Sequence, residues 1–244
     1  MKAKSLKLRW LPGTVLVALL SACGGGGGSS SSSASGSSSD ATVSYQVSLA
    51  NLTNQQPMSP VVAIIHKAGY TAFDVGEAAS VALERLAEGG ETSTLVQAAE
   101  ADPNVLQVKT ISGGVAPGTP KTFSFTAARS DRAELQVTLV TMLTNTNDGF
   151  TGIESQNLNN LAVGQSTEVT TLAFDAGTEA NSETSATVPG LGGTGFSAVR
   201  DDATVVVTQH GGVVSADDNL GSSGLSEAHR FDNPVLQITV TRTE

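Results

Sequence analysis

Gln237-Ile238-Thr239-Val240-Thr241 alternates polar and apolar side chains, and runs of this kind or of β-branched residues recur along most of the chain. They fall at residues 42–49, 61–65, 122–125, 135–140, 166–172, 203–208 and 235–241. A period of two buries one face of a strand and wets the other, which is the pattern of antiparallel strands packed on one side. The strongest helical pattern lies at residues 77–87 and is closed by Gly89-Gly90; a weaker one covers 94–100 and stops before Asp102-Pro103. Strands on both sides of a short helical excursion, with Gly and Pro turns between them, predict an all-β domain: an antiparallel β-sandwich with a helical insertion. A closed barrel is the alternative arrangement of the same strands. Residues 41–244 are read as one domain, since no linker divides them and no solenoid or propeller repeat is present.

The first 40 residues have a different character. Lys2, Lys4, Lys7 and Arg9 precede an apolar stretch at residues 15–20, and Ser21-Ala22 precede Cys23, the only cysteine. This is the pattern of a secretory leader, and its apolar run is far short of the roughly 20 residues that span a bilayer. Leu20-Ser21-Ala22-Cys23 resembles a bacterial lipobox, which implies cleavage after residue 22, a lipid on the Cys23 sulfur and a place in the cell envelope. Gly24, a residue other than Asp, goes with sorting to the outer membrane in such lipoproteins. Residues 23–40 are then the lipidated cysteine and a flexible Gly/Ser linker, which holds the domain off the lipid by roughly 20–25 Å.

Removal of residues 1–22 leaves nine Lys/Arg against 23 Asp/Glu, a formal net charge of −14. That balance argues against nucleic acid, whose phosphates call for Lys and Arg, and against docking on anionic lipid through a basic patch. Contact with the membrane is expected through the lipid anchor alone.

Two acidic stretches suggest chemistry. They are Thr146-Asn147-Asp148-Gly149-Phe150 and Phe174-Asp175-Ala176-Gly177-Thr178-Glu179. Asp175 and Glu179 flank an Ala-Gly-Thr turn that can bring both carboxylates to one point. Loop carboxylates beside glycines suit calcium, which takes six to eight oxygens at about 2.3–2.6 Å; magnesium's stricter octahedron suits them less. Zinc is disfavoured, because His66, His210 and His229 show no ligand spacing and no cysteine cluster accompanies them. Asn147 and the Gly149 and Gly177 backbones are candidate supports.

Other motifs fail their own tests. Gly190-Leu191-Gly192-Gly193-Thr194-Gly195 matches a dinucleotide glycine pattern but precedes no helical run. Asp217-Asp218-Asn219 opens like a calcium loop, yet the sixth position is Ser222 and the twelfth is Ala228. No Gly-x-Ser-x-Gly elbow is present. The single Trp, Trp10, lies in the leader, so the mature chain lacks the usual stacking platform of sugar sites. His66 follows an apolar strand and is read as a structural histidine hydrogen-bonded near a sheet edge. Asn51-Leu52-Thr53 is read as a strand-end turn.

Several motifs occur in a fixed order: Tyr45-Gln46-Val47, Asn51-Leu52-Thr53, Gln56-Pro57-Met58-Ser59-Pro60, His66, residues 73–80, residues 86–90, Ala116-Pro117-Gly118, Met142-Leu143, Thr146–Phe150 and Asp175–Glu179. Together they resemble the spondin N-terminal domain family, including its bacterial members, over most of residues 43–242. The resemblance implies a C2-like β-sandwich with calcium held near one end by loop carboxylates. It also implies an extracellular adhesion role and the ligands Asp148, Asp175 and Glu179, the last being Asp in animal members. The cysteines and further domains of those members are missing here, so their partners do not transfer.

The resulting expectation is a non-enzymatic calcium-binding interaction module with a protein or glycan ligand. One alternative is a metal-assisted or two-carboxylate hydrolase built on the same acids. Another is calcium-mediated docking on phospholipid, for which Phe150 is the candidate apolar neighbour.

Overall fold

A computed structural model describes residues 41–244. The leader, Cys23 and the Gly/Ser linker lie outside the described residues. The described residues form ten strands and two α-helices: β1 (Thr42–Asn51), β2 (Val61–His66), α1 (Val81–Gly89), α2 (Ser93–Glu100), β3 (Val105–Ile111), β4 (Lys121–Ala128), β5 (Gln136–Met142), β6 (Gly149–Asn157), β7 (Ser166–Thr171), β8 (Ala173–Asp175), β9 (Thr208–Gln209) and β10 (Leu236–Arg242). They form two antiparallel sheets, ordered β4-β1-β10-β7 and β3-β2-β5-β6-β8-β9. The expected β-sandwich is therefore present, as two open sheets. Among the described residues, no helix is long and apolar enough to cross a membrane.

Periodicity explains how the layers assemble. In β1, Val43, Tyr45, Val47 and Leu49 are fully buried, while the residues between them are exposed or half-buried. They meet Ile238 and Val240 of β10, and Ala63, Ile65, Val137 and Leu139 of the opposite sheet, in the core between the sheets. Tyr45 stacks on Phe125 there, with ring centroids 5.1 Å apart.

The run 61–65 does not alternate because both of its faces are covered. Val61, Ala63 and Ile65 point between the sheets; Val62 and Ile64 enter a second core under the helices, with Leu83, Leu86, Val140, Met142 and Phe150. Each buried Leu side chain in this second core contributes about 2 kcal/mol of transfer free energy.

The helical insertion starts later than its apolar pattern suggests. Ser80 is the N-cap, and its hydroxyl accepts the Leu83 N–H at 3.1 Å. Residues just upstream are held elsewhere: the Val207 N–H donates to the Glu77 carbonyl, and the Gly76 N–H donates to the Val207 carbonyl, each at 2.8 Å. The same contacts explain why the run 203–208 does not form the expected strand. Only Thr208–Gln209 pairs, with β8. At the other end of α1, Gly90 adopts φ +66° and closes the helix as its glycine predicts.

Strands β3, β6 and β8 have no counterpart in the predicted runs. β6 contains Gly149 and Gly152, which read as turn residues. Gly152 is required by packing, since a Cβ there would strike the Leu139 carbonyl oxygen of β5.

Candidate metal centre

The acidic stretches meet because of strand register. Gly149 at the start of β6 pairs with Asp175 at the end of β8, so Asp148 and Asp175 emerge side by side from one end of the six-stranded sheet. Thr146 shapes the approach: its hydroxyl donates to the Leu143 carbonyl at 2.7 Å and accepts the Gly149 N–H at 2.9 Å.

After Asp175 the chain turns at Gly177, φ +69°, where a side chain would press on the Val206 carbonyl oxygen at 2.6 Å and on that of Thr204. The turn aims three donors at one atom. Asp148 Oδ2 accepts the Thr178 N–H at 2.8 Å, the Thr178 hydroxyl at 3.1 Å and the Glu179 N–H at 3.1 Å. Asp175 is held by the Gly177 N–H on Oδ1 at 2.8 Å and by the Asn181 amide on Oδ2 at 2.7 Å.

A third carboxylate arrives from just before the run at 203–208 that the sequence pattern marked as a strand. Asp202 is oriented by the Thr204 N–H, which donates to its Oδ1 at 2.9 Å. The neighbouring Asp201 N–H donates to the Thr178 carbonyl at 3.2 Å, which ties the two loops together. One carboxylate oxygen from each of Asp148, Asp175 and Asp202 lies within 4.8 Å of the others. Three aspartates so placed could hold a metal ion.

The electrostatics fit that use. Asp148 is completely buried, and its Oδ1 has no hydrogen-bond partner among the described residues. Burial, then the charge of Asp175, pushes its carboxyl up to about 7. A buried carboxylate oxygen without a donor costs free energy unless a proton or a cation satisfies it. All three side chains offer hard oxygen, the donor type that calcium and magnesium take.

Glu179 stands slightly apart. Its backbone amide serves Asp148, while its side chain is not in the three-aspartate group. Its carboxyl is pushed up to about 7, first by burial and then by the charges of Glu88 and Asp148, against a hydrogen bond from Asn147; its Oε2 is buried without a partner. Asn147 also supports the next turn, its Oδ1 accepting the Glu183 N–H at 3.0 Å.

Two residues of this site carry no spacing signal. Asp202 lies 27 residues beyond Asp175, in a segment whose valines dominate the pattern. His210 is buried, its Nδ1 accepts the Gly212 N–H at 3.0 Å, and its Nε2 has no partner among the described residues. Burial lowers its pKa, while the charges of Asp175 and Asp202 act to raise it.

The remaining candidates are structural. Phe150 is fully buried and packs edge-on against Phe73, centroids 5.0 Å apart, so it is no exposed tip for lipid docking. Asp217 and Asp218 accept the Glu227 and Ser215 amides, and Asp218 pairs with Arg230 at 2.9 Å. The Gly190–Gly195 loop holds a single 3-10 turn, Pro189–Leu191, and no helix follows it. His66 is hydrogen-bonded and buried on β2, one strand in from the β3 edge. A cavity of about 670 Å³ opens between residues 52–54, 211–213, 227 and 230–234, and none of Asp148, Asp175, Asp202 and Glu179 lines it.

The family model described as Spondin_N matches residues 49–191, more than half of the chain and including Asp148, Asp175 and Glu179. No curated protein matches the chain.

Proposed function

The chain belongs to the spondin N-terminal domain family, and from that premise we propose that its folded domain is a calcium-binding, non-enzymatic interaction module of the bacterial cell envelope. The observation that carries the calcium reading is the buried Asp148 Oδ1, left without a donor beside the carboxylates of Asp175 and Asp202. In this reading Asp148, Asp175 and Asp202 are the central ligands, and Glu179 closes the site from the Asp148 side.

A bound cation cancels the repulsion among these carboxylates. It thereby locks three loops, 144–148, 176–182 and 199–207, to one end of the sheet. Its work is to fix a surface, and several features favour this over catalysis. Asp148 is sealed from solvent, its Oδ2 is saturated by three donors, and the cavity between residues 52–54, 211–213 and 230–234 lies elsewhere. Membership of the family supports an extracellular interaction role, and in this reading the domain recognises a protein or glycan. A lipid on Cys23 and the Gly/Ser linker would present the domain at the outer membrane.

Calcium titration of the soluble chain from residue 24 onward tests the metal assignment. A ligand that binds only the folded state stabilises it by about 2.7 kcal/mol at a hundredfold excess over Kd. The melting temperature should rise with calcium and fall with chelator. A melting temperature unchanged by both excludes the assignment. Pull-down with and without calcium then tests the interaction role.

A further inference from the structure

At the other end of β6 lies a second polar cluster, about 20 Å along the strand from Asp148 by the usual rise per residue. It is built from His66 on β2, Thr138 on β5 and Glu154 on β6, three strands adjacent in the sheet. His66 Nδ1 lies 2.8 Å from the Lys67 carbonyl oxygen, and His66 Nε2 lies 3.0 Å from Thr138 Oγ1. Thr138 Oγ1 lies 3.2 Å from Glu154 Oε2 and accepts the Ser155 N–H at 2.9 Å. Glu154 Oε1 accepts the Ala72 and Phe73 N–H groups at 2.9 and 3.1 Å.

These contacts are one proton short. A carbonyl oxygen only accepts, so Nδ1 of His66 carries its hydrogen, and in a neutral ring Nε2 is then an acceptor. An ionised Glu154 is also an acceptor. Thr138 stands between them with a single hydroxyl hydrogen, enough for one neighbour. The other contact would set lone pair against lone pair at hydrogen-bond distance, in a place where His66 and Thr138 are fully buried.

One additional proton satisfies every contact. With it on Glu154, the carboxyl donates to Thr138, Thr138 donates to His66, and both lone pairs of the hydroxyl are used. We propose that His66, Thr138 and Glu154 share one such proton below neutral pH, seated on the Glu154 carboxyl and released as pH rises through neutrality, and form a pH-sensitive latch between β2, β5 and β6.

The surroundings favour the carboxyl end. Burial pushes Glu154 up to about 7, against its three hydrogen bonds and with a small upward push from Asp74; burial also lowers His66, against the Lys67 carbonyl and Asp102. Tyr70, tilted against the His66 ring at 5.2 Å, is pushed up by burial and by the charges of Glu154 and Asp102. The nearby cation, Lys67, is paired with Asp131 at 2.8 Å. On release the proton passes from Glu154 to water. The Thr138 hydroxyl then turns toward the carboxylate, and His66 Nε2 loses its donor.

Carbon-13 NMR of the Glu154 carboxyl and nitrogen-15 NMR of the His66 ring, from pH ~5 to ~9, test the latch on the intact protein. The expected midpoint for Glu154 is about 7, against an ordinary 4.5. His66 should stay neutral with its hydrogen on Nδ1, and its Nε2 signal should shift at that same midpoint. Glu154→Gln keeps a permanent donor to Thr138 and an acceptor for Ala72 and Phe73, so the Nε2 step should vanish. A Glu154 midpoint near 4.5, an imidazolium at neutral pH, or a step that survives Glu154→Gln would overturn the proposal. If the variant does not fold, the two midpoints of the unmodified protein decide alone.

Discussion

Arg200 Nη2 meets Glu84 Oε2 at 2.6 Å and ties the loop that carries Asp202 to the buried flank of helix α1. The same nitrogen donates to the Ala79 carbonyl at 2.7 Å, just before the helix N-cap. Glu84 is 4% exposed at its side chain and Arg200 29%, so removing the arginine strands an acid that solvent barely reaches. Arg200→Ala should destabilise the protein by about 3 kcal/mol, the low end of the range of about 3–5 kcal/mol expected when a buried pair loses one member, since Arg200 is partly exposed. Denaturant unfolding reads that loss. Calcium affinity measured on the same variant should fall as well, because Asp202 sits two residues from the broken tie.

The ligands should differ in rank. Asp148→Asn and Asp175→Asn remove charge at the centre of the group, and each should abolish the calcium-induced rise in melting temperature. Asp202→Asn should weaken calcium at least tenfold, about 1.4 kcal/mol. Glu179→Gln should have the smallest effect, since its amide to Asp148 is retained and its carboxylate stands outside the three-aspartate group. Calorimetric titration of the four variants gives the ranking, and a Glu179→Gln protein that no longer binds would place that carboxylate at the centre instead.

Legibility followed the locality of each signal. The alternation in β1 and β10 is written in consecutive residues, and so is the Gly90 stop of α1; these features survive into the fold with small shifts of boundary. Asp148 and Asp175 also stood out, because turn glycines accompany each. Asp202 did not. Its position depends on backbone contacts between residues 76–77 and Val207, and between Thr178 and Asp201, none of which has a sequence period. The same contacts erased the strand expected at 203–208. β6 was hidden for a different reason: its glycines look like turn formers, whereas Gly152 is there to let β5 approach.

Gly177 should be the least replaceable residue of the site. Its φ of +69° disfavours any side chain, and a Cβ would enter the backbone of residues 204–206. Gly177→Ala should cost about 1–3 kcal/mol and displace the Thr178 and Glu179 amides from Asp148 Oδ2. Loss of protection of those two amides in hydrogen exchange, with the protein still folded, is the expected signature.

Calcium and protons should compete, with a sign fixed by the folded-state pKa values. Asp148 lies at about 7 against an ordinary 3.8, and Glu179 and Glu183 lie at about 7 against 4.5. For each, burial is the first cause. The folded, metal-free protein therefore binds more protons than the unfolded chain between about pH 4 and 7, and its stability must fall as pH rises through that window. These contributions are fully present only below the unfolded values. Calcium takes the ionised form of Asp148, so its apparent affinity should climb about tenfold per pH unit per proton displaced, levelling off above pH ~7. Melting curves at pH ~5.5 and ~8 should consequently diverge: the apo protein is the more stable at the lower pH, and the rise on adding calcium is the larger at the higher one. In Asp148→Asn one of the displaced protons is gone, and the gap between the two apo curves should narrow. An apo protein whose stability rises from pH ~5.5 to ~8 would mean that these carboxyls ionise near their ordinary values, and the case for a desolvated metal centre would go with them.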